Sequence, residues 1–282
     1  MKYSQKPKYE RRNETIAVLV MILLCIPVLF IYFSFFANAF ILDSTGELTL
    51  QNFRFLYQPI QLSQYTVEPI GKAFRNTVIF TAIATTLEVT ISCMAGYALA
   101  RMEFTGKRVI SFSLLTLRLF PGVLLLIGVL YVLLHLGILN TLTGVIVVAI
   151  ALRLPGSTFI IRNFFAGIPQ DIENSALVDG CNRLTAFFQV IIHMVKPGLA
   201  SISIFAFMSA WSNYLLFNVL IFNTKTPVLA TYLRVLSRND QMIADYGVFA
   251  AMAMVYMLPV LIFFFISQRQ LMQGTISGGK GI

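Results

Sequence analysis

The sequence is poor in charged residues. Asp, Glu, Lys and Arg together make up 12% of its 282 residues, whereas hydrophobic residues make up 57% and the mean hydropathy is +0.79. A soluble domain of this size carries about a quarter charged residues. The deficit excludes an ordinary soluble domain and predicts an all-α, polytopic membrane protein with most of its chain in a lipid bilayer.

Cysteine and histidine are also scarce, and each is scattered. The three cysteines are Cys25, Cys93 and Cys181, and none forms a CxxC pair. This spacing predicts neither a disulfide framework nor a metal site. The two histidines, His135 and His193, stand alone, which favours packing at helix ends over metal binding.

Motifs for catalysis and nucleotide binding are missing. The sequence has no G-x-x-x-x-G-K-[ST] phosphate loop, because each of its three Gly-Lys pairs is followed by a residue other than Ser or Thr. No nucleophile–base group and no convincing pair of catalytic carboxylates can be recognised. The sequence therefore predicts no catalytic residue, no enzyme activity and no cofactor bound to this chain, so any ATP hydrolysis must occur on another chain.

Long apolar runs are what the sequence does contain. Ala37-Asn38-Ala39 resembles a signal-peptidase site, but the run before it is longer than a signal peptide needs, so we expect an uncleaved first helix. A six-helix membrane domain, 15–267, is thus predicted between an N-terminal tail, 1–14, and a C-terminal tail, 268–282. The six predicted spans cover roughly residues 16–37, 77–99, 109–134, 142–161, 199–221 and 247–267.

The net charge of +9 indicates membrane topology rather than nucleic acid binding, since no basic stripe is interleaved with aromatic residues. With six spans, the segments on the side of the termini hold thirteen Lys and Arg residues and those on the other side hold six. Lys and Arg accumulate in cytoplasmic loops. The distribution predicts that both termini, and the polar segment between the fourth and fifth spans, are cytoplasmic.

This polar segment, residues 166–197, is much longer than most connections between helices. Pro169 suits the first turn of a helix, and Gly180 interrupts it. A face of mostly small residues precedes the interruption and a large apolar face follows it. The members at helical spacing are Ile172, Ser175, Ala176 and Asp179, and then Leu184, Phe187, Phe188 and Ile191. Two interpretations remain open at this point: an amphipathic helix on the membrane surface, or a helical hairpin that fits a groove on a cytoplasmic partner.

The sequence I-P-Q-D-I-E-N-S-A-L-V-D-G at 168–180, with Phe187 and Pro197 after it, resembles the EAA loop of binding-protein-dependent ABC importer permeases. The stretch A-G-Y-A-L-A-R at 95–101 resembles the maltose-type carbohydrate permease subfamily. There are departures from the family pattern. Asn174 stands where the motif Glu is usual, Ser175 and Cys181 replace Ala, and His193 stands where Pro is common.

The resemblance implies a type I ABC importer permease of a bacterial or archaeal cytoplasmic membrane. It implies a separate ATPase dimer that binds ATP-Mg, a second related permease, and an external solute-binding protein that delivers a sugar or oligosaccharide. The expected ATPase-coupling residues are Glu173, Ser175, Ala176, Asp179, Gly180 and Phe187. A secondary transporter and a membrane scaffold or sensor subunit are the alternatives from other classes.

Placing an ionisable side chain inside a membrane span costs free energy, so such residues usually have a function or form a structural pair. Arg118 and Arg153 each precede a Pro-Gly pair that should break or kink the helix. One hypothesis is that Glu88 pairs with one arginine and leaves the other for the substrate or a polar gate. The alternative is a structural pair, with the second arginine facing the partner permease. Trp211 and Asn213 could contact a sugar ring or pack between helices.

Overall fold

The structure is a computed structural model that describes residues 8–42, 45–62, 65–222, 226–237 and 246–278. Within these ranges the chain is mostly helical, so the all-α prediction is confirmed. The predicted tails fall partly on residues 1–7 and 279–282, and the charge count includes Lys225 and Arg238; these residues lie outside the described ranges. The chain divides into two compact units, Met1–Pro69 with Leu236–Tyr256, and Ile70–Val235 with Met257–Ile282.

The helices, numbered in chain order, differ in length from the predicted runs. They are α1 (Lys8–Ala39), α2 (Gly71–Arg101), α3 (Lys107–Leu117), α4 (Gly122–His135), α5 (Leu142–Ala166), α6 (Gln170–Val178), α7 (Arg183–Ala186), α8 (Ile192–Met194), α9 (Lys196–Trp211), α10 (Tyr214–Leu220), α11 (Leu229–Ser237) and α12 (Tyr246–Gly278). Both terminal helices extend into segments predicted as tails, since α1 begins at Lys8 and α12 ends at Gly278.

The first unit joins the apolar helix α1 to a small β-hairpin that the sequence did not predict. A 3₁₀ helix, Gln51–Leu56, precedes strands β1 (Ile60–Leu62) and β2 (Tyr65–Val67), which pair antiparallel. The amide of buried Asn52 donates to the carbonyls of Asn38, Ala39 and Ile41 at 3.3, 3.2 and 2.8 Å. These bonds satisfy the carbonyls of Asn38 and Ala39, at the end of α1 where no partner is available within the helix, and the carbonyl of Ile41 just after it.

The second unit is built around the contact between α2 and α5, with α9 packed on both. Gly96 makes this contact close, because a Cβ there would lie 2.5 Å from the Ile161 side chain and 3.1 Å from the Arg162 nitrogen. An apolar core lies between the helices. Its largest fully buried side chains include Phe80, Phe165, Ile161, Ile202 and Leu220.

Four helices of the described chain are long and apolar enough to cross a membrane, or up to six if each of two bent helix pairs forms one span. The break expected at Pro121-Gly122 within the third predicted span, 109–134, is confirmed, since α3 and α4 meet there at 109°. Pro121 lacks an N–H, and its extended backbone (ψ 120°) cannot continue the helix. At 1.5 Å per residue α3 is about 16 Å long and α4 about 21 Å, so neither crosses a 30 Å core upright.

The fifth predicted span, 199–221, is wrong as one helix. It is divided between α9 and α10, with the break at Ser212 and Asn213. The helical stretch Arg183–Met194 meets α9 at 78°.

A break at Pro155, by contrast, is absent, because α5 runs unbroken from Leu142 to Ala166. A proline removes one N–H from the helix, and α5 packs on both α2 and α9, which hold it in place.

Candidate functional site

The polar segment folds as a short helix, a tight turn and a second helical stretch. In α6, Asp171 and Glu173 lie in the first turn, where a negative charge stabilises the helix. The helix ends in a Schellman motif: the Gly180 amide donates to the Leu177 carbonyl at 3.1 Å, and the Cys181 amide to the Ala176 carbonyl at 3.0 Å. Gly180 has φ +90°, which explains why glycine occupies this position.

The second helical stretch begins at once after this turn. The Asn182 side chain accepts from the Thr185 amide at 2.8 Å and so caps α7. A π-helical turn, Phe187–Ile191, then leads into α8. Such turns are rare and occur often at functional sites. The D-G-C-N sequence thus stops one helix and starts the next within a few residues.

The inner face of the polar segment is held by Glu173. Its carboxylate accepts a hydrogen bond from the Tyr97 hydroxyl at 2.7 Å and lies 3.5 Å from the Arg101 Nε. Arg101 also donates from Nη2 to the Ile168 carbonyl at 2.6 Å. The side chains of Arg101 and Glu173 are each 7% exposed. Glu173 therefore faces the end of α2 and not the exposed side of α6.

Phe187 lies in the same buried layer. Its ring centroid is 4.7 Å from that of Tyr97 and 6.1 Å from that of Phe165. The sequence reasoning missed this layer. The available signal was the spacing of Tyr97 and Arg101, which are four residues apart and so share a helix face.

The predicted small face divides between the two sides of α6. Ala176 is buried, whereas Ser175 and Asp179 are exposed and Ile172 is half-buried. Ser175 donates its hydroxyl to the Asp171 carbonyl at 2.8 Å. Asn174, at the position of the usual motif Glu, is exposed.

The predicted large apolar face divides in the same way. Phe187 and Ile191 are buried, whereas Leu184 and Phe188 are 70% and 57% exposed. Val178, at the end of α6, is 87% exposed. We call Val178, Leu184 and Phe188 the docking patch. They are large apolar side chains exposed on an otherwise polar segment, and so they are the candidates for an interaction surface.

Of the three ionisable residues singled out inside the predicted spans, Glu88 and Arg153 form a pair and Arg118 lies apart from it. Arg153 donates from Nε to the Glu88 carboxylate at 3.0 Å, and Ser157 donates to the other oxygen of that carboxylate. Arg153 also donates from Nη2 to the Phe205 carbonyl at 2.7 Å. Glu88 is 2% exposed, so the pair ties α2, α5 and α9 together inside the helical core.

Arg118 occupies the break between α3 and α4. It is exposed, and its guanidinium lies 5.7 Å from the centre of the Phe159 ring. Within the described residues it makes no ion pair. The nearby Gly156 leaves space beside it, since a Cβ there would come no closer than 3.9 Å to the Arg118 Nε.

Trp211 and Asn213 flank the break between α9 and α10. Trp211 is 3% exposed and lies between the rings of Phe207 and Phe74, with centroids at 5.8 and 6.3 Å. The Asn213 side chain accepts from the Leu216 amide at 3.3 Å and caps α10. In this structure both residues serve packing and capping. No three His, Cys, Asp or Glu residues in the described part of the chain are grouped as metal ligands.

Comparison with known proteins identifies the family. Residues 88–276 match the family described as "Binding-protein-dependent transport system inner membrane component". The chain is 31% identical to the diacetylchitobiose uptake system permease protein NgcG of Streptomyces coelicolor, over 98% of this chain and 90% of that protein. It is also 31% identical to the trehalose transport system permease protein SugB of Mycobacterium tuberculosis, over 83% and 82% of the two chains.

A solved structure shares the fold. The match is to a chain in the crystal structure of a bacterial ABC transporter involved in the import of the acidic polysaccharide alginate, with a TM-score of 0.77 and 19% identity. It covers 94% of this chain and 99% of that one. From the extended family match and the close relatives, we conclude that this chain belongs to the inner membrane components of binding-protein-dependent transport systems.

Proposed function

We propose that this chain is the permease subunit of an ATP-driven sugar importer. It would translocate a sugar or oligosaccharide delivered by an external solute-binding protein, and a separate ATPase dimer with bound ATP-Mg would drive it. The observation that carries the proposal is the docking patch. It lies on the segment that resembles the EAA loop, and an exposed apolar surface there fits a cleft on a partner protein.

The proposed arrangement in the membrane has six spans with both termini in the cytoplasm. The positive charge distribution supports it, and the bent pair α3–α4 and the helices α9 and α10 would supply the two spans that no single long apolar helix provides. A second related permease would complete the pathway. This arrangement places the docking patch on the cytoplasmic side, where ATP is available.

We further propose that Arg118 contributes to the substrate pathway. Arg153 is neutralised by Glu88, so Arg118 is the arginine left beside a broken helix. Irregular backbone at membrane depth lines cavities or is buried in protein. A guanidinium offers a planar set of donors to hydroxyl or acid groups of a sugar. Contact with the partner permease is the competing role for Arg118.

The experiment is reconstitution of the complex in proteoliposomes. The chain would be co-expressed with an ATPase, a second permease and a binding protein identified among its neighbouring genes. Uptake of labelled diacetylchitobiose, trehalose and maltotriose would be measured with ATP at the ATPase side. We expect uptake of at least one sugar that requires both ATP and the binding protein. Uptake that continues without the ATPase would indicate a secondary transporter and contradict the proposal. Absence of any ATPase from the purified complex would also contradict it.

A further inference from the structure

The contact between α2 and the polar segment is a buried, charged latch. Tyr97 and Arg101 reach Glu173 from the last turn of α2, and Arg101 also holds the Ile168 carbonyl just before α6. The carboxylate therefore receives both a hydroxyl hydrogen bond and the charge of a guanidinium. Removing one partner of a buried pair leaves an uncompensated charge, which is strongly destabilising.

The latch has a second layer that keeps the two elements together. Phe187, which follows α7, packs on the Tyr97 ring from the other end of the polar segment. Both helical stretches of the segment thus contact the same turn of α2. The side of α6 that remains exposed carries Asn174 and Val178.

We infer that Glu173 is a positioning residue that fixes the polar segment to α2, so that α6 and the end of α2 move as one body when a partner moves the docking patch. The inference rests on the proposed function, in which an ATPase supplies that movement. It separates two roles within the segment: the docking patch contacts the partner, and Glu173 passes the displacement to the membrane helices.

The position of Glu88 indicates which contact in the membrane helices this displacement would affect. Glu88 lies on α2, the helix that the latch holds, and pairs with Arg153 on α5. A displacement of α2 along its axis would therefore strain or break the Glu88–Arg153 ion pair between α2 and α5. The latch and this pair lie at two levels of one continuous helix, Gly71–Arg101.

The test compares two latch variants with a matched control. Glu173→Gln removes the charge and keeps an acceptor for Tyr97, whereas Glu173→Ala removes both interactions. The control is Asp171→Asn, which removes an exposed acid from the same first turn of α6. Each is made in the full complex, and complex yield, ATP hydrolysis and sugar uptake are measured together.

We expect the latch variants to assemble and hydrolyse ATP while the sugar transported per ATP falls about tenfold, the scale of a typical coupling free energy. The smaller change is expected for Glu173→Gln, and no change for Asp171→Asn. Hydrogen exchange in the purified complex provides a readout that is independent of transport. In Glu173→Ala, exchange should rise both in residues 168–178 and in the last turn of α2.

Two results would overturn the inference. One is a Glu173→Ala complex with lowered yield but an unchanged ratio of sugar to ATP, which would make Glu173 a fold-stabilising residue only. The other is faster exchange in α6 with no change in α2, which would show that the two do not move together. If the wild-type complex takes up none of the sugars, the proposed substrate class fails, while the exchange comparison still decides the latch.

Discussion

The Arg153 Nε lies 3.0 Å from the Glu88 carboxylate. Loss of the Arg153 side chain should destabilise the fold strongly. Arg153→Ala would leave a carboxylate that is 2% exposed without its cation. Removing one partner of a buried pair costs about 3–5 kcal/mol. We expect a clear fall in the thermal unfolding midpoint of the detergent-purified protein. Arg118→Ala is the matched control, since an exposed cation–π contact contributes only about 1 kcal/mol. Equal midpoints for the two variants would contradict the pairing.

Arg118 gives the opposite prediction for transport. Arg118→Ala should leave the amount of complex unchanged and raise the half-saturating sugar concentration by about tenfold or more, because a charged hydrogen bond to a ligand contributes about 1.5–3 kcal/mol. Arg118→Lys should show a smaller increase, since it keeps the charge and loses the planar donor set. The measurement is uptake as a function of sugar concentration. Lower expression with unchanged half-saturation would refute a pathway role and favour contact with the partner permease.

At the residue scale, the sequence indicated which charged residues lie inside the predicted spans but not which way their side chains point. Burial costs alone singled out Glu88 and the two arginines, and Gly180 followed from the interrupted helix pattern. The inward direction of Glu173 could not be predicted, because it depends on Tyr97 and Arg101, which are about 70 residues earlier in the chain. Ala176 is also buried, so a large side chain there would disrupt the segment itself as well as any docking.

At the scale of the helical elements, the docking patch can be tested with little risk to the fold. Leu184→Asp changes a side chain that is 70% exposed, and exposed substitutions usually alter stability by less than 0.5 kcal/mol. The binding free energy of a desolvated interface falls far more than this when an acidic side chain replaces a buried apolar one. We expect the variant to reach the membrane but to retain less than about a tenth of the ATPase during purification.

The matched control for this variant is Leu48→Asp. Leu48 is 85% exposed and belongs to the other compact unit, outside the polar segment. The control should retain the ATPase at the wild-type level. Full ATPase retention by Leu184→Asp would contradict docking through this surface.

Helix breaks were predictable only in part. Arg118-Leu-Phe-Pro-Gly122 and Arg153-Leu-Pro-Gly156 are similar in sequence, yet the first breaks the helix and the second does not. The difference is tertiary, since α5 is packed on α2 and α9 and the break before α4 lies on an exposed stretch. The break at Asn213 has a local signal, because asparagine is a preferred N-cap, but an apolar run masks it.

At the scale of the whole molecule, the topology can be tested with the cysteines that the chain already has. Cys181 lies in the polar segment and is partly exposed, so a membrane-impermeant maleimide should reach it from the cytoplasmic side only. Replacing Cys25 and Cys93 by Ala removes the other two thiols. We expect labelling in inside-out vesicles and none in right-side-out vesicles.

A second cysteine variant tests the opposite side of the membrane. Leu48→Cys, in the same background with Cys181 also replaced, puts a thiol at a highly exposed site after α1. If α1 crosses the membrane with its basic N-terminal tail inside, this thiol is labelled in right-side-out vesicles. The six-span arrangement puts three crossings between positions 48 and 181, so the two thiols should lie on opposite sides of the membrane. Labelling of both thiols from the same side would contradict that number of crossings. It would then exclude the six-span arrangement, and with it the cytoplasmic position that ATPase docking needs.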